Sequence, residues 1–230
     1  MSVFVGCFFP LVIGLGLWQL DRAAQKRELE TAYMIRLMEL PRRPSRALLA
    51  DLSEGSLPFT RLRLDGEFNT EVFFIDNQVA QGKVGYWVVQ GYVSDIGKFL
   101  VNRGFVPAEA TRDRLPALST PAGRQSIVGV VWPFTGLLPV YDDDRWAAGW
   151  PKRIQRLDIE RMAQVLDAYG FEVRLEAGQA GVERAAPFSN TLNVDRHLGY
   201  AATWFGLALA LIVLFVVYGR WKANSAVNEK

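Results

Sequence analysis

The chain has one cysteine and one histidine among its 230 residues, and these two shortages exclude a good deal. A lone thiol, Cys7, can form no internal disulfide, whatever the redox state of its compartment. The two residues together cannot furnish a Cys/His zinc site. They make no nucleophile and base pair either, because Cys7 lies within one apolar run and His197 beside another. Also missing are a phosphate loop, a dinucleotide-binding glycine fingerprint and a Gly-x-Ser-x-Gly elbow. The run Asp142-Asp143-Asp144 lacks the spaced ligands of a calcium loop and reads as a solvated turn. A net charge of +2 with scattered basic residues gives no basis for a nucleic-acid partner. The sequence therefore predicts a protein that is not an enzyme.

What the chain does have is two long stretches without charge. Residues 2–20 and 198–219 are each almost wholly apolar, and about 20 such residues cross a hydrocarbon core of roughly 30 Å. Both are predicted to be transmembrane helices, with lipid as their surroundings and the first retained as an anchor, since a basic n-region and a small-residue cleavage site are lacking. Residues 21–197 then form one domain on one side of the membrane, and both termini, including the tail 220–230, lie on the other. Charge bias does not orient this hairpin. Arg22, Lys26 and Arg27 after the first span argue for a cytoplasmic domain, whereas Arg220 and Lys222 after the second argue the reverse.

Within the domain the hydrophobic period changes. Trp18 to Leu40 reads as a helical stalk stopped by Pro41 and Pro44. From Arg61 to Phe68 polar residues alternate with apolar ones or glycine, the pattern of a strand with one wet face. Further strands are predicted at 71–76, 85–94, 98–106, 125–132 and 171–175. A helix is predicted between an Asp158 cap and Gly170. The expected class is a membrane α+β protein: two terminal helices flanking an antiparallel, β-rich domain with one or two helices, built as meanders or a partly closed barrel.

Candidate binding residues cluster at the domain-side ends of the spans. In a helix His197, Tyr200, Ala201 and Trp204 share a face at i, i+3, i+4 and i+7. Gly14, Trp18 and Arg22 follow one another at i+4 steps, and Gly14 would let a helix or flat ligand approach. Two readings are open. The aromatics can be ordinary interfacial belts with Arg22, Arg196 and His197 reaching the headgroups. Alternatively a neutral imidazole at the boundary suits a haem iron, with propionates reaching Arg22 or Arg196.

Three motifs, spread over most of the chain, carry a resemblance. They are Gly16-Leu17-Trp18-Gln19-Leu20-Asp21-Arg22 with Lys26 following; Asn102-Arg103-Gly104-Phe105-Val106-Pro107, preceded by Gly85-Tyr86; and His197, Tyr200, Ala201, Trp204 and Phe205 leading into the second span. In order and spacing they resemble the surfeit locus protein 1 family, whose members often have Trp where this chain has Phe105. The resemblance implies an assembly factor for haem-copper cytochrome c oxidase that helps deliver haem a to subunit I or stabilises it there. Its partners would be subunit I and other oxidase assembly factors. The domain would be periplasmic at a bacterial plasma membrane, or at the mitochondrial inner membrane in a eukaryote. It also implies haem a contact at His197, with Trp18, Tyr200 and Trp204 walling the ring and Arg22 or Arg196 on the propionates. A haem-independent scaffold and a lipid- or quinone-binding domain are the alternatives. For Arg103-Gly104 a structural role is expected, with the glycine set by backbone geometry and the arginine braced on a carboxylate or carbonyl.

Overall fold

The structure, a computed structural model, describes residues 2–111, 114–133, 146–184 and 194–228. The Asp142–Asp144 run falls outside the described residues. Two compact units divide the chain, one comprising Met1–Ala32 with Pro187–Lys230 and the other Tyr33–Ala186.

The first unit is made of two helices, α1 (Ser2–Leu37) and α4 (Val194–Asn228). Each is long and apolar enough to cross a membrane. Pro10 lies inside α1, which a membrane-spanning helix tolerates.

The second unit is a barrel. Its helices are α2 (Arg46–Ser53) and α3 (Ile159–Leu166), and its strands are β1 (Arg61–Ala80), β2 (Lys83–Ser94), β3 (Gly97–Pro107), β4 (Gln125–Trp132), β5 (Lys152–Ile154) and β6 (Ala168–Leu175). Strand β1 alternates as the sequence predicts, with Leu62, Leu64 and Phe68 turned into the core. Its first residues, Arg61 to Gly66, pair with β4, and from Gly66 onward it pairs with β2, with register shifts after Phe68 and Ile75. The predicted strands at 61–68 and 71–76 are therefore one bent strand. The ring closes in the order β1-β2-β3-β6-β4-β1, with β5 added beside β1. The run β4-β1-β2-β3 is a Greek key. The sheet is mixed: β3–β6 and β1–β5 are parallel and the other pairings antiparallel.

Phe99, Val101, Ile127, Phe171 and Val173 fill the barrel together with Leu62, Leu64, Phe68 and Tyr92. Leu49 and Leu52 of α2 join this core; Ser45 caps α2 by accepting from the Leu48 N–H. A second core lies where α3 places Ile159, Met162 and Leu166 against Phe73, Val89 and Leu100. Asp158 caps α3 as predicted, but the helix stops at Leu166, where Asp167 takes a left-handed φ of 54°. Gly170 lies in β6 instead. The end of α1 belongs to this unit: Tyr33 packs edge-on to Phe59 at 5.5 Å. Arg61 pairs with both oxygens of Glu176 at 2.6 and 2.8 Å and donates to the carbonyl of Leu37, which the helix end leaves without an intrahelical donor, and to that of Glu39 just beyond the helix.

Candidate functional site

Among the described residues, the helical unit presents a polar pair, Gln19 and His197, on a seam of mainly small and apolar residues. On α1, Val12, Gly16 and Ala23 are buried, at i, i+4 and i+11; on α4, Ala201 and Ala208 are buried one heptad apart. At Gly16 the helices approach closely: a Cβ there would lie 2.7 Å from the Phe205 ring. Gly14, the glycine singled out by its i+4 spacing, opens onto nothing within 4 Å. Small residues let helix backbones come together where no hydrophobic drive separates lipid from side chain. Since Gly16 meets Phe205 and the later Gln19 meets the earlier His197, the two helices run antiparallel.

His197 is half-buried on this seam, with its Nδ1 2.7 Å from Oε1 of Gln19. Trp204, also half-buried, lies one heptad along α4 from His197. The remaining candidates form two pairs on outward faces. Arg22 stands over the Trp18 ring at 5.7 Å, and Arg196 over the Tyr200 ring at 5.8 Å. Trp18 is 49% and Tyr200 46% exposed. Arg22 also donates to Gln25 at 2.9 Å, and Gln25 in turn to Asp21. Thus the six candidates separate: His197 with Trp204 toward the seam, Trp18 with Arg22 on one helix, Arg196 with Tyr200 on the other. Gln19 is the residue of this polar pair that spacing arguments passed over. Its only signal was its position beside Trp18 in the first motif, because an amide inside an apolar run needs a partner that hydropathy does not name.

The middle motif has a structural explanation. Between Val88 and Val89 the β2–β3 register shifts, so that Val88 faces Gly104 and Val89 faces Asn102; Arg103 is the extra residue of a bulge. Gly104 takes φ 100° there. Asn102 holds the bulge by accepting from the Gly104 N–H at 2.8 Å and donating to Glu172. Arg103 is fully buried, and each of its donors is engaged. It binds the Gly181 carbonyl, the Gln90 and Thr120 oxygens, the Ser119 carbonyl and the Glu183 carboxylate at 2.6 to 3.2 Å. Its guanidinium also lies 5.3 Å from the Phe68 ring. Burial pushes its pKa below the usual arginine range, partly opposed by the charge of Glu183. The segment 181–184 is tied to β3 through backbone bonds as well, Glu183 N–H to the Arg103 carbonyl and Phe105 N–H to that of Arg184.

A cleft of about 340 Å³ opens between the end of α2, the end of β4 and the start of α3 and β6. The buried carboxylate on its wall, Glu172, is already committed to Asn102 and Arg174, and Arg174 lies between the Trp87 and Trp132 rings at 4.8 and 4.0 Å. Among the described residues no three histidine, cysteine or carboxylate side chains gather in a way that could hold a metal ion.

The sequence profile of the SURF1 family matches residues 6–209 of this chain. A SURF1-like protein of Rickettsia felis is 29% identical over 234 residues, covering 92% of this chain and 93% of the relative. A SURF1-like protein of Rickettsia conorii is 28% identical, covering 92% and 88%. Surfeit locus protein 1 of the fish Takifugu rubripes is 27% identical over 220 residues, covering 86% and 88%.

Proposed function

The chain belongs to the SURF1 family, and on that premise we propose that it is a membrane assembly factor for haem-copper cytochrome c oxidase, holding haem a in transit to subunit I. The observation that carries the reading is the family match, which runs from the first apolar helix through the barrel and into the second apolar helix. On this reading the barrel is periplasmic in a bacterium and the hairpin lies in the plasma membrane.

The donor chemistry of the hairpin fits a haem. The only histidine is half-buried beside apolar and small residues, and neutral imidazole is a common axial ligand of haem iron. Haem a would bring the iron and an apolar, dianionic macrocycle; the protein's part is to bind it, orient it and keep it from water. His197 would take the iron. Trp204, on the same side of α4, would bear on the ring. Arg22 and Arg196, each stacked on an aromatic at the mouth of its span, would meet propionates as guanidinium meets carboxylate. The barrel would dock on the nascent oxidase.

A second reading is favoured by the outward placement of Trp18 and Tyr200. Half-exposed aromatics suit packing against another protein's helices, and a scaffold that never touches haem would use them so. One experiment separates the two. The detergent-purified protein, co-expressed with haem a synthesis, should show a haem absorbance band that His197→Ala removes. No pigment in either protein would leave the scaffold, whereas equal pigment in both would show that His197 is not the ligand. In either case a deletion strain should lose oxidase activity.

A further inference from the structure

We propose that Gln19 is a positioning residue for His197: by accepting the Nδ1 proton it fixes the imidazole tautomer and turns the Nε2 lone pair outward as the group offered to a ligand. This rests on the haem reading for its purpose, though not for its chemistry.

The contact is short and specific. Nδ1 of His197 lies 2.7 Å from the amide oxygen of Gln19. An amide oxygen has lone pairs and no proton, so the hydrogen in this bond belongs to the imidazole. A neutral imidazole carries only one, and placing it on Nδ1 leaves Nε2 unprotonated. A histidine whose second nitrogen donates to a carbonyl or carboxylate oxygen is the arrangement that orients metal-bound imidazoles and raises their basicity. The two helices supply the rigidity. The Gly16–Phe205 approach is three residues before Gln19 on α1 and eight after His197 on α4, so the bond is held by packing next to it.

The single histidine makes the test clean, because a histidine-specific ¹⁵N label in a chain without a histidine tag reports only His197. At a pH above the imidazole range, wild-type protein in detergent should show a protonated Nδ1 and an unprotonated Nε2. Gln19→Leu should lose that preference, and Gln19→Glu, whose carboxylate also accepts, should restore it. Haem a affinity should fall about 10- to 100-fold in Gln19→Leu, as when other outer partners of ligating histidines are removed, and recover in Gln19→Glu. A protonated Nε2 in wild type, meaning that the amide donates instead, would overturn the proposal. So would a tautomer unchanged by Gln19→Leu. If wild type binds no haem while the tautomer follows Gln19, the haem reading fails and the positioning role stands.

Discussion

Replacing Arg103 tests whether the Asn102-Arg103-Gly104 motif is structural. In Arg103→Leu the charge and all of its bonds disappear. Gln90, itself buried, loses the partner of its Oε1, and the carbonyls of Ser119 and Gly181 lose theirs. Each buried acceptor left without a donor costs about 1–3 kcal/mol. Glu183 is 27% exposed along its side chain, so water can partly replace the arginine there. The added apolar volume of leucine offsets some of the rest, and breaking a buried ion pair from one side costs about 3–5 kcal/mol in comparable cases. That is the expected loss. For a chain of this length it lowers the melting temperature by about 6–20 °C. Arg103→Lys keeps the charge but brings three donors on a different geometry, leaving at least two acceptors unserved at about 1–3 kcal/mol each. The assay is thermal unfolding of the full chain in detergent, followed by circular dichroism. A lysine variant within about 1 kcal/mol of wild type would refute the argument, as would a leucine variant that melts normally yet fails to support oxidase assembly, which would make Arg103 a functional contact instead.

Two further outcomes follow from the packing. Tyr92 is buried, and burial pushes its hydroxyl up to about 12 from an unfolded value near 10. Below about pH 10 the hydroxyl is neutral in both states and its contribution is complete. As pH rises from about 10 through 12 the unfolded chain ionises first, so up to about 2.7 kcal/mol of stability is lost. Tyr92→Phe should lack that slope in alkaline unfolding curves, while losing about 1 kcal/mol at neutral pH with the bond to the Gln125 carbonyl; parallel curves would count against it. In the hairpin, Gly16→Leu should lower stability because its side chain meets the Phe205 ring, and Phe205→Ala should relieve part of that loss. A double-mutant cycle whose coupling is zero would show that the two residues do not meet.

Most of the architecture was legible in the residues because the two periods are strong. The alternation at 61–68 and the run at 125–132 gave strands, and the charge-free stretches gave the helices. Three features were not legible, for physical reasons. Helix α2 is short, and its sequence RALLADLS shows too few turns to establish a period before the barrel core buries Leu49 and Leu52. The parallel β3–β6 pairing joins strands far apart in sequence, with β4, β5 and α3 between them; no local pattern encodes such a pairing. Gly170 looked like a helix stop because glycine is the usual left-handed residue, but Asp167 reaches φ 54° three residues earlier. At the candidate site, spacing brought out His197 and Trp204. It could not tell that Tyr200 would turn outward, since residues at i+3 lie about 60° off a residue's own meridian, enough to leave a narrow two-helix seam.

The energetics of the hairpin point to a chemical role for the Gln19–His197 pair and away from a stabilising one. A polar bond between membrane helices is worth about 0.6 kcal/mol on average. Against that stands the partial desolvation of groups the bond does not satisfy, namely the Gln19 amide donors and His197 Nε2, and an unsatisfied amide costs about 1–3 kcal/mol when fully buried. Half-burial reduces this cost without reversing its sign. The seam on either side achieves its packing with Val12, Gly16, Ala201 and Ala208, none of which needs a partner. Gln19→Leu should therefore melt at or above the wild-type temperature. Read beside the tautomer and haem measurements, that result would assign any loss of haem to the orientation of the imidazole, whereas a hairpin that falls apart in Gln19→Leu would make the bond a structural one.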